Sequence, residues 1–177
     1  MKNLIVYGSE YGTTKRYAEK FSEMTGIPAI NDRDIETLKE YDRIIHFGGL
    51  YAGGVKGLKS TVKAMREGAG LVIVTVGLAD VRDPENTDKI RKSIEKQIPE
   101  KVLRNTAIFH LRGGIDYGKL RFQHRAMMTL LYWKAKSLPE DQKTAEVKAM
   151  IETFQKKVDF VDYNALKPII ETLQLGT

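Results

Sequence analysis

The stretch Leu71-Val72-Ile73-Val74-Thr75-Val76 constrains this chain more than any other. It carries no charge and is rich in β-branched residues, as strands covered on both faces are. Leu4-Ile5-Val6-Tyr7 is a shorter run of the same kind. Ile27–Ile30, Asp42–Phe47 and Val102–Leu111 read as three further strands. Between them lie segments of helical period. Tyr17, Ala18, Phe21 and Met24 share one face before Gly26. Leu58, Val62 and Met65 share another, and Thr87–Gln97 reads as a helix with Thr87 at its N-cap. Strands alternating with helices predict an α/β domain with a doubly wound, five-stranded parallel sheet. With 177 residues and no linker or repeat, the whole chain, 1–177, reads as a single domain.

Composition removes several chemistries. Cysteine is absent, which excludes disulfides, thiolate metal sites and thiol catalysis. No apolar run approaches the roughly 20 residues needed to span a bilayer. The start MKNLIVYGSE lacks a secretory core, so a cytoplasmic location is expected. The net charge of +6 favours anionic partners. Nucleic acid is not expected, because no recognition motif accompanies the charge. No metal-ligand spacing and no Ser/His/Asp set is present.

In an open α/β sheet, ligands bind beyond the carboxyl ends of the strands. Three loops should meet there: 8–14, 48–57 and 77–86. The first, Gly8-Ser9-Glu10-Tyr11-Gly12-Thr13-Thr14, joins a strand to a helix. Its amides and hydroxyls form an anion site at a helix N-terminus. It is neither a Walker A loop nor a G-x-G-x-x-G fingerprint. Hydroxyls and amides without a lysine suit a single monophosphate. A plain capped turn is the other reading of the same string.

Ser9-Glu10-Tyr11-Gly12-Thr13-Thr14 resembles the [ST]-x-[ST]-G-x-[ST] loop of the flavodoxin family, which wraps the phosphate of FMN. Ser9, Gly12 and Thr14 match, while Tyr11 replaces a hydroxyl residue. Gly48-Gly49-Leu50-Tyr51-Ala52-Gly53 stands where that family places one wall of the isoalloxazine pocket. Val76-Gly77-Leu78-Ala79-Asp80 resembles its G-x-G-D loop, with Ala79 for the second glycine, and Pro84-Glu85-Asn86 is also similar. The resemblance covers 1–110 and implies a flavodoxin-like fold with FMN as cofactor. It places the phosphate on Ser9–Thr14 and the ring between Leu50–Gly53 and Val76–Asp80. Tyr51 would cover the ring or remain a surface tyrosine; Asp80 would bond the pyrimidine side or form a turn, with backbone contacts from Gly77 and Leu78 favoured.

Residues 112–161 form a long insertion after the fifth strand, and a last helical segment lies near 163–174. Between 112 and 136 there are six basic residues and one acid, Asp116. The stretch Arg112–Leu138, with Val158–Asp162 further on, resembles the flavodoxin-domain branch typified by quinone-dependent protoporphyrinogen IX dehydrogenases of bacteria. That branch implies an FMN-dependent oxidoreductase with a porphyrinogen substrate and a quinone acceptor. Arg112, Tyr117, Arg121, Arg125 and Trp133 would form the substrate or membrane face, arginines meeting propionates or lipid phosphates. The uncharged run Ala126–Trp133 has three readings: packing on its own domain, a membrane interface with Tyr132 and Trp133 at headgroup level, or a homodimer contact. An electron-transfer flavodoxin shuttling between protein partners is the alternative function, and a fold that has lost FMN is a third. His46 reads as a core residue, His110 as the end of a strand near the ligand edge, and His124 as part of the basic stretch.

Overall fold

The computed structural model describes residues 1–51 and 53–175. Five parallel strands make the sheet: β1 (Asn3–Gly8), β2 (Ala29–Asn31), β3 (Arg43–Tyr51), β5 (Gly70–Gly77) and β6 (Thr106–Arg112), in the order β2-β1-β3-β5-β6. The order reverses beside β1, between β1 and β3, so the carboxyl ends of these strands flank a crevice. A two-residue strand, β4 (Gly54–Val55), folds back antiparallel on the end of β3.

Alternation along the strands sends neighbouring side chains to opposite faces. Ile5, Ile45, Phe47, Val72 and Val74 pack beneath α1 (Thr13–Thr25) and α7 (Lys167–Thr172). Leu4, Val6, Ile44, Leu71 and Ile73 pack beneath α2 (Leu58–Ala64) and α3 (Pro84–Glu95). Helix α1 buries Thr14, Tyr17, Ala18 and Phe21 and stops at Gly26, whose φ of 70° closes the last turn.

Local chemistry moves several boundaries from their sequence-based positions. Residues 102–105 are not strand, because Pro99 starts a short helix, α4 (Glu100–Leu103), and Arg104 pairs with Glu100. Asp83, not Thr87, caps α3. Its carboxylate accepts from the Glu85 amide, and Pro84 takes the first helical position. Leu50 and Tyr51 belong to the extended end of β3, paired with β4, and not to a loop.

The insertion is more ordered than its sequence suggests. It contains β7 (Gly114–Asp116), α5 (Phe122–Lys136), α6 (Ala145–Glu152) and β8 (Lys157–Asp159). Strands β7 and β8 pair antiparallel, Gly114 opposite Asp159. Ile115, Tyr117 and Met128 form a small core of their own, joined by Tyr11 and Leu78 from the sheet-edge loops. The two ends of the insertion meet at one hydroxyl: Tyr17 donates to the Arg112 carbonyl at 2.8 Å and accepts from the Asp162 amide at 3.0 Å.

Candidate functional site

The three loops converge at the carboxyl edge, and the insertion lies across them as a cap. Together they enclose a cavity of about 510 Å³, within the roughly 300–1,000 Å³ of small-molecule sites. One end is the turn between β1 and α1. Gly12 is the N-cap of α1 at φ 90°, a left-handed conformation that favours glycine, and it brings no capping side chain. No side chain therefore caps the first-turn amides of the helix, and a helix N-terminus of this kind favours an anion. Ser9 Oγ accepts from the Gly12 amide at 3.1 Å, and Thr14 is buried with its hydroxyl against Gly49. Thr13 turns its hydroxyl the other way and donates to the Gly114 carbonyl at 2.9 Å.

Glu10 puts a carboxylate at this end of the cavity, and two side chains meet it. Lys56 pairs with one oxygen, and His124 Nε2 lies 3.0 Å from the other. Burial alone would push the Glu10 carboxyl up. The Lys56 ammonium outweighs it, helped by His124 and Arg33, and holds the group below its ordinary value. Lys56 was not legible as a site residue, although it is the lone cation of the second glycine-rich stretch, Gly48–Gly57.

Two tyrosines meet the cap. Tyr11 and Tyr51 lie edge to face, 6.4 Å between ring centres. Their phenols donate to the thioethers of Met128, at 3.3 Å, and Met127, at 2.7 Å. Tyr11, where the flavodoxin pattern has a hydroxyl residue, thus reaches across to α5. Burial pushes its phenol well up. Leu50, Tyr51, Gly53, Val76, Gly77 and Leu78 line the middle of the cavity. Ala52 lies outside the described residues.

The third loop is held from two sides. Asp80 does not line the cavity. Arg82 pairs with it at 2.9 Å and holds its carboxyl down at about 2, so it serves its own turn. The amides of Leu78 and Ala79 are instead met by Glu146 of α6, at 2.9 and 3.0 Å. No pattern marks Glu146 in the sequence, where it looks like the charged first turn of an amphipathic helix. From the far side, Arg112 Nε donates to the Leu78 carbonyl at 2.9 Å while the guanidinium stacks on Phe160.

The residues assigned to an outer face divide. Tyr117 is 5% exposed and packs edge-on against Phe154, so it belongs to the cap core; burial raises its phenol to about 12. Tyr132 stacks on Phe154 at 3.9 Å and also turns inward. Arg112 is committed to Leu78, and Arg125 donates to the Tyr117 carbonyl at 3.2 Å. Trp133, Leu130 and Phe122 are exposed at 62%, 72% and 86%. At i, i+8 and i+11 they mark one outer stripe of α5. A polar hollow of about 340 Å³ lies beside the first loop, with Arg33, Lys119, Arg121 and His124 around it.

The other histidines are structural. His46 is fully buried between the Lys56 carbonyl and the Thr61 hydroxyl, both at 2.9 Å, and burial lowers it to about 4. A carbonyl can only accept, so Nε2 carries the proton and Nδ1 accepts from Thr61. His110 bonds the Thr75 hydroxyl at 2.7 Å. Among the described residues there is no cluster of metal-ligating side chains.

The profile of the flavodoxin domain matches residues 4–142 of the chain. No curated protein matches it. Similar solved structures include a putative flavoprotein from Bacteroides uniformis, 16% identical over 63% of this chain and 90% of that one, with a TM-score of 0.46. A flavoprotein in complex with FMN from Lactobacillus acidophilus is 14% identical, covering 63% and 91%, with a TM-score of 0.44. Oxidised flavodoxin 1 from Bacillus cereus is 16% identical, covering 63% and 84%, with a TM-score of 0.45.

Proposed function

The chain belongs to the flavodoxin domain family, and from that premise we propose that it is an FMN-dependent oxidoreductase acting on a small molecule held under the cap. The observation that carries this reading is the single cavity running from the phosphate loop to the apolar side chains of α5 and α6. FMN supplies the redox chemistry. The chain's part is to bind, orient and exclude water.

Ser9, the Thr14 hydroxyl and the amides of Thr13 and Thr14 hold a phosphate at the N-terminus of α1. The compensation of Glu10 by Lys56 keeps that site receptive to an anion. Tyr51 and Leu50 wall one side of the ring space, and Val76–Leu78 wall the other. Met128, Leu131, Leu138, Val147 and Met150 form the roof. A carrier that passes electrons between proteins needs its flavin edge open to them. A roofed chamber suits a small apolar acceptor or donor instead, and the +6 charge does not suit the cationic partners of an acidic shuttle.

The finer reading is a quinone acceptor and a porphyrinogen donor. Anionic substrate arms would meet Lys119, Arg121 and Arg33 around the polar hollow, since Arg112 and Arg125 are already engaged. The stripe of Phe122, Leu130 and Trp133, flanked by Arg121, Arg125, Lys134 and Lys136, suits contact with an anionic bilayer where a quinone resides. No described helix is long and apolar enough to cross one.

An absorption spectrum of the purified protein after FMN addition and desalting tests the cofactor, with flavin bands near a 1:1 ratio expected. Turnover with a soluble quinone and no protein partner separates enzyme from shuttle. Reversing the charges of Arg121 and Arg125 together should abolish sedimentation with phosphatidylserine vesicles. Unchanged sedimentation removes the bilayer from the reading and leaves the stripe as a homodimer contact, detectable as concentration-dependent mass.

A further inference from the structure

We propose that Glu146 is an internal competitor for the flavin ring site: its carboxylate holds the amide of Leu78, one of the backbone contacts expected for the ring, together with that of its neighbour Ala79. The inference rests on the FMN reading above. Both oxygens are used, Oε1 on the Leu78 amide at 2.9 Å and Oε2 on the Ala79 amide at 3.0 Å. The carboxylate sits so close to the loop that a Cβ added to Gly77 would lie 3.0 and 3.2 Å from its oxygens.

Three features make this a built contact. Thr144 caps α6 by accepting from the Val147 amide at 3.2 Å, which fixes Glu146 in the first turn. A negative side chain is favoured there by the helix dipole. Arg112 grips the Leu78 carbonyl from the opposite side, so the peptide cannot easily rotate away. Among the described residues no lysine or arginine pairs with Glu146, so the two amides and the N-terminus of its helix are what compensate its charge.

An amide hydrogen has one good acceptor direction. A ring carbonyl and the Glu146 carboxylate therefore cannot share the Leu78 amide. FMN must displace the Glu146 carboxylate before the ring can settle between Leu50 and Leu78. The protein thus binds the flavin more weakly than its loops alone would allow.

The test is the affinity of Glu146→Ala and Glu146→Gln for FMN and for riboflavin, read by quenching of flavin fluorescence. Hydrogen bonds to a charged group are worth about 1.5–3 kcal/mol, so Glu146→Ala should bind roughly tenfold or more tightly, and associate faster. The carboxamide of Glu146→Gln has one acceptor atom and should give a smaller gain in the same direction. It also carries the test if the alanine variant does not fold. Riboflavin lacks the phosphate, so an equal gain for both flavins places the competition at the ring. Unchanged or weaker binding in the variants overturns the inference, as does a gain confined to FMN. Folded wild type and variants that all fail to bind FMN would instead remove the cofactor reading, and this inference with it.

Discussion

Along β5, six consecutive side chains from Leu71 to Val76 are buried, whereas the fifteen residues of α5 bury only Met128 and Ala135. The sheet is held by apolar surface on two faces. The cap is held by a three-residue core and by individual polar clips to the loops beneath it: Thr13 to Gly114, Glu10 to His124, and the Leu78 and Ala79 amides to Glu146. Burial is cooperative and expensive to disturb, while such clips can be exchanged for contacts with a ligand. The sheet therefore sets global stability, and the cap is the part free to respond to what enters the cavity.

The strongest challenge to this division is Phe21→Ala, which empties a site packed on Phe47 beneath the sheet. It should cost about 3–5 kcal/mol in urea unfolding. Protein that remains folded should bind FMN as before; a weakened affinity would mean that the sheet and the site are coupled. Acid sharpens the same contrast. His46 is kept neutral by burial, its pKa lowered from 6.5 to about 4. Its contribution is whole above about pH 6.5 and is lost as pH falls towards 4, about 3 kcal/mol in all. His46→Gln should remove most of that slope from a pH series of urea midpoints.

Smaller effects are expected at the site. Thr14→Val keeps the buried volume but loses the hydroxyl. FMN should bind about tenfold more weakly, by the worth of a hydrogen bond to a charged group, with riboflavin unaffected. Equal losses for both flavins would move the phosphate off Ser9–Thr14. The smallest concerns the cap alone. Thr144→Ala removes the cap of α6, worth roughly 1 kcal/mol, and should appear as faster hydrogen exchange over 145–152. A shift in the global unfolding midpoint instead would show that the cap and sheet unfold as one.

The same division governs what could be read in advance. The strands of the sheet are legible because burial on both faces leaves uncharged, β-branched runs that few other structures tolerate. Turn chemistry is harder. The end of β3 reads as a glycine-rich loop, since its pairing with β4 depends on a tight reversal that composition does not reveal. In the cap, Gly114 faces Asp159 across the whole insertion, and no local pattern announces a pairing so distant. Tyr117 and Tyr132 look like members of a basic, aromatic surface. Only the arrival of Phe154, two residues beyond α6, turns both inward. Glu146 and Lys56 were silent for a similar reason, because a charged residue on a helix or loop is normally solvated and its partners come from elsewhere in the chain.

The Tyr17 hydroxyl, which touches both Arg112 and Asp162, has a bearing on how such a protein can change. It places the two ends of the insertion side by side, at the surface of a helix that belongs to the sheet. A segment whose ends already meet adds little chain-closure cost as it lengthens, because that cost grows only with the logarithm of length. The cap thus leaves and rejoins the rest of the chain at one place. It can be exchanged, shortened or rebuilt while the strands that carry the three edge loops stay as they are.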